Sequence, residues 1–293
     1  MPEQLVRAPG WEWWIIGYFF LAGIAGGSYA IGTMLRLWGA ARDEAAARIA
    51  FLVSFPALVV CPVLLAADLG QPTRFWLMLV DAGQGGLVLK LWSPMSAGSW
   101  ALLIFGVFSA VSFVEALALR GTLKLGLAGA VARALSGRFG RAWNVAGMLF
   151  GLFVAGYTGI LLAVSNQPLW SDGWALGGLF LTSGLTGSGA LLLLLVRSRA
   201  PAAASEDAIA EADRWFAILE AVLIIVFLVS VAASGLLSRL LGPWWLLLWV
   251  IVAAGLVASV THGRWRSAPQ LAAILALVGV LALRALIVLS AQL

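Results

Sequence analysis

The sequence predicts an all-α membrane protein with eight transmembrane helices, and three observations support this prediction. The 293 residues contain eight apolar runs, each close to the ~20 residues that an α-helix needs to cross a bilayer. The chain is 62% hydrophobic and only 11% charged, whereas soluble domains carry about 25% charged residues. Its basic residues are concentrated in alternate loops, which is typical of multi-pass membrane proteins.

The eight spans follow from these runs in chain order. We place them at residues 13–36, 48–68, 96–119, 142–165, 174–196, 214–235, 243–261 and 269–290. The residues at or beside their boundaries include Trp13, Asp68, Arg141, Trp174, Arg214, Pro243 and Pro269. Because tryptophan, proline and charged residues are common at helix ends and membrane interfaces, these boundaries agree with the hydropathy of the runs.

The distribution of basic residues predicts the side of the membrane that each loop faces. Thirteen lie in the connections after spans one, three, five and seven: Arg36, Arg42, Arg48, Arg120, Lys124, Arg133, Arg138, Arg141, Arg197, Arg199, Arg214, Arg264 and Arg266. Four lie on the other side: Arg7, Arg74, Lys90 and Arg239. Because cytoplasmic loops carry the excess of basic residues, we expect both termini on the extracytoplasmic side.

The composition excludes several kinds of metal site. A haem b held between helices needs axial ligands, usually histidines, and His262 is the only histidine. Cys61 is the only cysteine, so this chain alone cannot hold an iron–sulfur cluster or a four-cysteine zinc ion. We therefore expect no metal here, and any electron chemistry must come from an organic cofactor or a partner subunit.

Two further classes of feature are not expected. The N-terminal sequence lacks the basic region and the cleavage site of a signal peptide. No basic stripe with interleaved aromatic residues suggests binding to nucleic acid. The expected environment of the chain is therefore the lipid bilayer.

Spans one and five share a pattern that suggests an internal duplication. Residues 14–30 (WIIGYFFLAGIAGGSYA) and 174–190 (WALGGLFLTSGLTGSGA) are identical at seven of seventeen positions. Both spans would cross the membrane in the same direction, so the repeat would be parallel. The alternative is that membrane helices rich in small residues look alike. A true repeat predicts two four-helix bundles, formed by residues 1–170 and 171–293.

Three ionisable residues lie inside the predicted spans, where a charge is costly. Glu115 lies near the cytoplasmic end of span three, Glu220 about two turns into span six, and Arg284 roughly fifteen residues into span eight. The two glutamates are close enough to the membrane surface for their side chains to reach it. The alternative interpretation is a proton-transfer path through Glu115, Glu220 and Arg284.

Three segments with aromatic and polar residues meet at the outer face. They are the start of span one with Trp14 and Tyr18, the segment from Asp68, and the end of span four with Tyr157 and Asn166. A quinone site needs an apolar slot, a donor for a carbonyl oxygen, and a carboxylate or water that passes the proton. These segments provide all three, although a buried tyrosine is often only a packed core residue.

The longest outer connection, residues 69–95, has two interpretations that are compatible with each other. Its tryptophans favour an interfacial loop in the aromatic belt of the membrane protein. The same segment can form a docking surface for an extracytoplasmic partner. The candidate docking residues are Arg74, Trp76, Gln84, Lys90 and Trp92.

Four sequence segments together resemble a known family. They are FLAGIAGGSY in span one, AADLGQPTRFWLM at 66–78, WSPMSAGSW at 92–100 and GYTGILLAVSNQPLW at 156–170. The chain is similar over residues 11–170 to the NrfD/PsrC family, the membrane subunits of polysulfide reductase and related molybdenum-enzyme and multihaem complexes. Spans five to eight are similar to the family only in number and hydropathy.

The resemblance implies a haem-free, quinone-reactive subunit in the cytoplasmic membrane of a bacterium or archaeon. Such a subunit binds menaquinone or ubiquinone near the outer face and is not catalytic alone. It exchanges electrons with an extracytoplasmic four-cluster iron–sulfur subunit, which accompanies a molybdenum-containing or multihaem catalytic subunit. The complex would be an oxidoreductase of the polysulfide, thiosulfate, formate or nitrite type.

The resemblance also assigns roles to individual residues. The quinone-site tyrosine of the family falls on Tyr157, which we expect to be catalytic, with Asp68 passing protons. Trp14, Tyr18 and Asn166 are then the other expected quinone contacts. The histidine that some members place in span one falls near Tyr18, which can donate the same hydrogen bond but is a poorer proton shuttle near neutral pH.

Three other functions compete with this interpretation. A secondary transporter would suit eight spans, a repeat and buried charges, but the spans lack clear breaks at mid-membrane. A passive anchor would tether a redox partner without binding quinone. A cytochrome b-type anchor is excluded by the number of histidines.

Overall fold

The computed structural model describes residues 9–81, 86–87, 89–90, 92–121, 126–262, 265 and 267–292. Within them, eight helices are long and apolar enough to cross a membrane, which confirms the predicted class and number of spans. They are α1 (Trp13–Trp38), α2 (Glu44–Asp68), α3 (Pro94–Leu119), α5 (Arg138–Ala163), α7 (Leu176–Arg197), α9 (Glu206–Ala233), α11 (Pro243–Val260) and α12 (Pro269–Ser290). Shorter helices are α4 (Gly126–Ala134), α6 (Pro168–Ser171), α8 (Ala200–Ala203) and α10 (Leu237–Leu240).

The predicted boundaries agree with the helices to within about four residues, except at the start of span six. Helix α9 begins at Glu206, whereas the prediction placed the boundary at Arg214. Glu206 and Asp207 lie in its first turn, where the helix dipole stabilises negative charge. Hydropathy detects only the apolar part of α9, because its first two turns are polar.

Helices α1 and α7 are the most deeply buried of the eight, because small residues face each other across their contact. A Cβ atom added to Gly23 of α1 would lie 3.1 Å from the Cα atom of Gly184 in α7. One turn further along α7, the Ser188 hydroxyl donates a hydrogen bond to the carbonyl of Ile24 at 3.0 Å. Such close approach lets helices associate in lipid, where burial of apolar surface gives little driving force.

The other spanning helices pack around this central pair. Helix α1 contacts α2 and α5, and α3 contacts the same two helices. Helix α7 contacts α9 and α12, and α11 contacts those two. The two groups meet mainly where α7 packs on α1 and α5.

Both ends of the described chain lie on one face of this assembly. The Gln292 side chain accepts a hydrogen bond from the backbone N–H of Trp11 at 2.6 Å and donates one to the backbone carbonyl of Trp11 at 2.7 Å. Trp11 also stacks on Trp170 of α6, with ring centroids 5.3 Å apart. We call this side the termini face, and we call the opposite side, where α1 and α3 end and α2 begins, the loop face.

The long connection between α2 and α3 is folded onto the termini face. A 3-10 helix spans Pro72–Met78, and two short strands, β1 (Val80–Asp81) and β2 (Gly86–Leu87), pair in an antiparallel hairpin. The Ser96 hydroxyl of α3 donates a hydrogen bond to the Met78 carbonyl at 3.3 Å. The connection is therefore attached to the first turn of α3.

Candidate functional site

Tyr157 lies against the first turns of α3, near the termini face. It belongs to the last two turns of α5, is buried, and donates a hydrogen bond from its hydroxyl to the Pro94 carbonyl. Gly98, one turn further along α3, lies directly against the ring, so that a Cβ atom there would overlap the phenol. The absence of a side chain at Gly98 is what makes room for Tyr157.

An apolar cleft opens between α3 and α5 beside this tyrosine. It has a volume of about 340 Å³, and its walls include Ala97, Ile104, Leu149 and Phe153. The Phe153 ring stacks on the Tyr157 ring, with centroids 5.8 Å apart. The cleft therefore has apolar walls, and the phenol of Tyr157 lies behind Phe153. Its volume is at the lower end of the range for small-molecule sites.

Tyr18 of α1 is a buried neighbour of Tyr157. It is fully buried, and Tyr157 and Cys61 are its electrostatic neighbours. The structure thus brings together Tyr18 and Tyr157, two of the residues that the sequence predicted for the site. Cys61 is a neighbour that the prediction did not include.

Three other predicted site residues lie nearer the surface of the termini face. Trp14 is half exposed in the first turn of α1, and Asn166 is exposed after the end of α5. Asp68 is partly exposed at the end of α2, where its charge interacts with that of Glu12. All three lie near the same face as Tyr157, but neither a hydrogen bond nor a ring contact joins Trp14 or Asn166 to Tyr157 in the described structure.

A row of polar side chains extends from the loop face into the contacts of α1, α2 and α3. On the loop face, Arg36 pairs with Glu115 at 2.7 Å and with Glu44 at 2.8 Å. One turn deeper, the Tyr29 hydroxyl lies 2.9 Å from the Ser112 hydroxyl. One turn deeper again on α3, the Ser109 hydroxyl lies 3.0 Å from the Ser54 hydroxyl of α2. We call this series of side chains, from Arg36 to Ser54, the polar row.

Glu220 and Arg284 are both buried among the later helices, and no ion pair within 4.0 Å joins them in the described part of the chain. Both are fully buried, and their charges interact. The Arg284 guanidinium donates hydrogen bonds to the Ser183 hydroxyl at 2.5 Å and to the Phe180 carbonyl at 3.2 Å. Glu115 therefore belongs to the polar row, whereas Glu220 and Arg284 lie elsewhere, so the three residues do not form one continuous contact.

The predicted docking residues lie on the exposed connection between α2 and α3. Trp92 is 82% exposed and Trp76 is 43% exposed, and Arg74 is also exposed. Lys90 is partly buried, and its backbone N–H donates a hydrogen bond to the Ser96 hydroxyl at 3.2 Å. Gln84 lies outside the described residues.

Sequence reasoning missed several residues of the site. Pro94 and Gly98 fall within the segment 92–100, but the sequence does not show that they contact a tyrosine about sixty residues away. Ser109, Ser112 and Glu115 recur every third residue on α3. This spacing places them on one side of a helix, and it is the signal that could have found the polar row.

The described part of the chain offers few residues for a metal ion. No group of three or more His, Cys, Asp or Glu side chains within it could hold one. His262 is partly buried just after α11, on the loop face and away from Tyr157. The side chains near the cleft are instead phenols, hydroxyls and apolar groups, which suit an organic ligand.

Two comparisons relate the chain to known proteins. The family model described as "Polysulphide reductase, NrfD" matches residues 4–293, nearly the whole chain. A subunit of the selenate reductase from Mesobacillus selenatarsenatis is 25% identical over 113 residues. That match covers 39% of this chain and 24% of the relative, so the chain spans much less than the length of that protein.

Proposed function

The chain belongs to the NrfD family, and from this membership we propose that it is the quinone-reactive membrane subunit of a multi-subunit oxidoreductase. The apolar cleft beside Tyr157 is the observation that supports this proposal most directly. Leu149 and Phe153 of its walls are exposed on the surface of the helices, so a lipid-soluble carrier could enter the cleft sideways from the bilayer. The similarity to a selenate reductase subunit supports membership of a reductase complex.

We propose a membrane arrangement that accounts for the charges of the two faces. The contacts among the helices support a first four-helix bundle within residues 1–170 and a second within 171–293. The termini face would lie outside the cytoplasmic membrane of a bacterium or archaeon, because the basic loops lie on the other face. Exposed Trp13, Trp14, Trp174 and Trp244 on the termini face are suited to the lipid–water interface.

The residues of the cleft fit a menaquinone or ubiquinone ring. A quinone takes up two electrons and two protons to become a quinol, and the reverse reaction releases them. Phe153 and Ile104 would contact the ring or its tail, and Tyr157 would donate its hydroxyl to a ligand oxygen in place of the Pro94 carbonyl. Tyr18 neighbours Tyr157 as a second phenol, and Trp14 and Asn166 would be outer contacts.

Protons need routes between the cleft and water, and two are proposed. Asp68 is partly exposed on the termini face and would exchange protons with the outer water. The polar row would serve the loop face, where Glu115 and Arg36 line an open cleft of about 270 Å³. Glu220 and Arg284 would then belong to a separate path through the second bundle.

The electrons would pass to or from a four-cluster iron–sulfur subunit docked on the termini face. That subunit would itself accompany a molybdenum-containing or multihaem subunit, in which the terminal substrate reacts. The docking surface would be the connection between α2 and α3, with Arg74, Trp76, Lys90 and Trp92. Gln84 is proposed as part of the same surface on sequence grounds.

The docking proposal predicts a specific loss of partner binding. Changing Trp76 and Trp92 to serine should weaken association at least about tenfold, because exposed tryptophans commonly dominate interface energies. The measurement is the amount of iron–sulfur protein that copurifies with the tagged chain. Trp244→Ser is the matched control, since Trp244 is 83% exposed at the start of α11 on the same face. Equal losses in both variants would assign Trp76 and Trp92 to the lipid interface instead.

The proposed function is tested by binding and turnover of quinol. The intact complex, purified in mild detergent, should oxidise or reduce a short-chain quinone analogue, and an inhibitor that mimics a quinol should displace bound quinone. Substrate flux into liposomes that contain this chain alone would favour a transporter. Assembly with a redox partner but no quinone binding would favour a passive anchor.

A further inference from the structure

A second pocket lies on the loop face, where the two groups of helices meet. It has a volume of about 280 Å³ and is lined by Arg48 of α2, Arg120 at the end of α3, and Arg199 between α7 and α8. Its apolar part is formed by Ala45, Ile49, Pro201 and Ala202. Three arginines and several apolar residues of this pocket therefore come from parts of the chain that are far apart in sequence.

Of the three arginines that line this pocket, Arg48 alone takes part in an ion pair among the described residues. Arg48 is paired with Glu44 at 3.1 Å, and Glu44 also pairs with Arg36. Glu206, the acid at the start of α9, is occupied by Arg197 at 2.9 Å. Among the described residues, no ion pair joins Arg120 or Arg199 to an acid. Two positive charges thus remain to attract an anion.

The pKa of Arg120 also reflects the excess of positive charge in the pocket. Partial burial lowers the pKa of Arg120, and the positive charges of Arg199 and Arg48 lower it further. Like charges held this close repel each other. An anion in the pocket would relieve that repulsion and would accept the hydrogen bonds that guanidinium groups donate to phosphate oxygens.

The position of the pocket indicates which phosphate it holds. Arg120 immediately follows α3, and Arg199 lies just after α7, at the depth where spanning helices leave the hydrocarbon. Lipid phosphates lie at this level, and basic pockets between membrane helices bind anionic headgroups. We propose that this pocket binds the headgroup of an anionic phospholipid, with an acyl chain against Ile49 and Pro201. The lipid would join α2 and α3 to the segment between α7 and α9.

The experiment compares lipid binding in the intact wild-type complex and in three double variants. Arg120→Gln with Arg199→Gln should weaken binding of phosphatidylglycerol about 25-fold, since each basic residue near an anionic surface is worth about fivefold. The charge-preserving pair Arg120→Lys with Arg199→Lys should retain most of the affinity. The control pair is Arg133→Gln with Arg138→Gln, because both arginines are exposed on the loop face and neither lines the pocket.

Binding is measured by native mass spectrometry and by the thermal stability of delipidated complex. Phosphatidylglycerol in nanodiscs should bind and stabilise the wild type, and phosphatidylcholine should do so much less. Equal binding of the two lipids, or equal losses in the control pair, would overturn the proposal. Inorganic phosphate that stabilises as well as the lipid does would identify the site as one for free anions, and it would also overturn the proposal.

Discussion

Tyr157→Phe should reduce quinone turnover at least about 100-fold while the chain still assembles with its partners. The hydroxyl is the only group removed, and it is the group proposed to donate a hydrogen bond and a proton to the ligand oxygen. A positioned acid or base typically contributes a factor of about 10² to 10⁴ to a rate. The phenyl ring would keep its stacking on Phe153 and its contact with Gly98, so the helices should keep their positions.

The control for this prediction is the neighbouring residue on the same helix. Thr158→Val also deletes one buried hydroxyl, but that hydroxyl donates only to the Ala155 carbonyl within α5, at 2.7 Å. Turnover in this control should stay within a few-fold of the wild type. Wild-type turnover in Tyr157→Phe, in a complex shown to contain all its subunits, would remove Tyr157 from the mechanism.

Gly98→Ala should lower quinone turnover about 10- to 100-fold, although it adds a single methyl group. That methyl group would overlap the Tyr157 ring, so the ring has to move away from α3 and lose its hydrogen bond to Pro94. Misplacing a reacting group by about 1 Å can cost as much as about 10²-fold in rate. Replacing glycine by alanine inside a helix otherwise favours the helix slightly, so the loss would not reflect the propensity of α3.

Gly106→Ala is the matched control on the same helix. Apart from the adjoining backbone of α3, no atom lies within 4 Å of a Cβ atom placed there, so both turnover and inhibitor binding should match the wild type. The measurements are steady-state turnover and the affinity of a quinol-analogue inhibitor for each variant. If Gly98→Ala and Gly106→Ala behave alike, the contact between Gly98 and Tyr157 does not position the phenol for catalysis.

The number and class of the helices were accessible from the sequence because hydropathy is a local property. About 20 apolar residues must form a helix in lipid, since each backbone polar group needs a partner within the segment. The predicted start of α9 was wrong by eight residues because hydropathy is read locally. Its first turns are polar, and their helical state depends on the helix that follows and not on their own hydropathy.

The site was only partly accessible from the sequence. Tyr157 and Tyr18 could be selected because the sequence has only three tyrosines, and the structure makes these two neighbours. The roles of Gly98 and Pro94 depend on how α3 crosses α5. The polar row depends likewise on which sides of α1, α2 and α3 face one another.

The sequence by itself therefore determined that this chain has eight apolar membrane helices, to what family it is similar, and which tyrosines were candidates. The tertiary structure decided that Glu115 pairs with Arg36, that Glu220 and Arg284 are both buried among the later helices, and that arginines far apart in sequence share one pocket. The physical reason is the distance along the chain over which each property acts. Hydropathy acts within a helix, whereas contacts between helices are set by the packing of small and large side chains along their whole lengths.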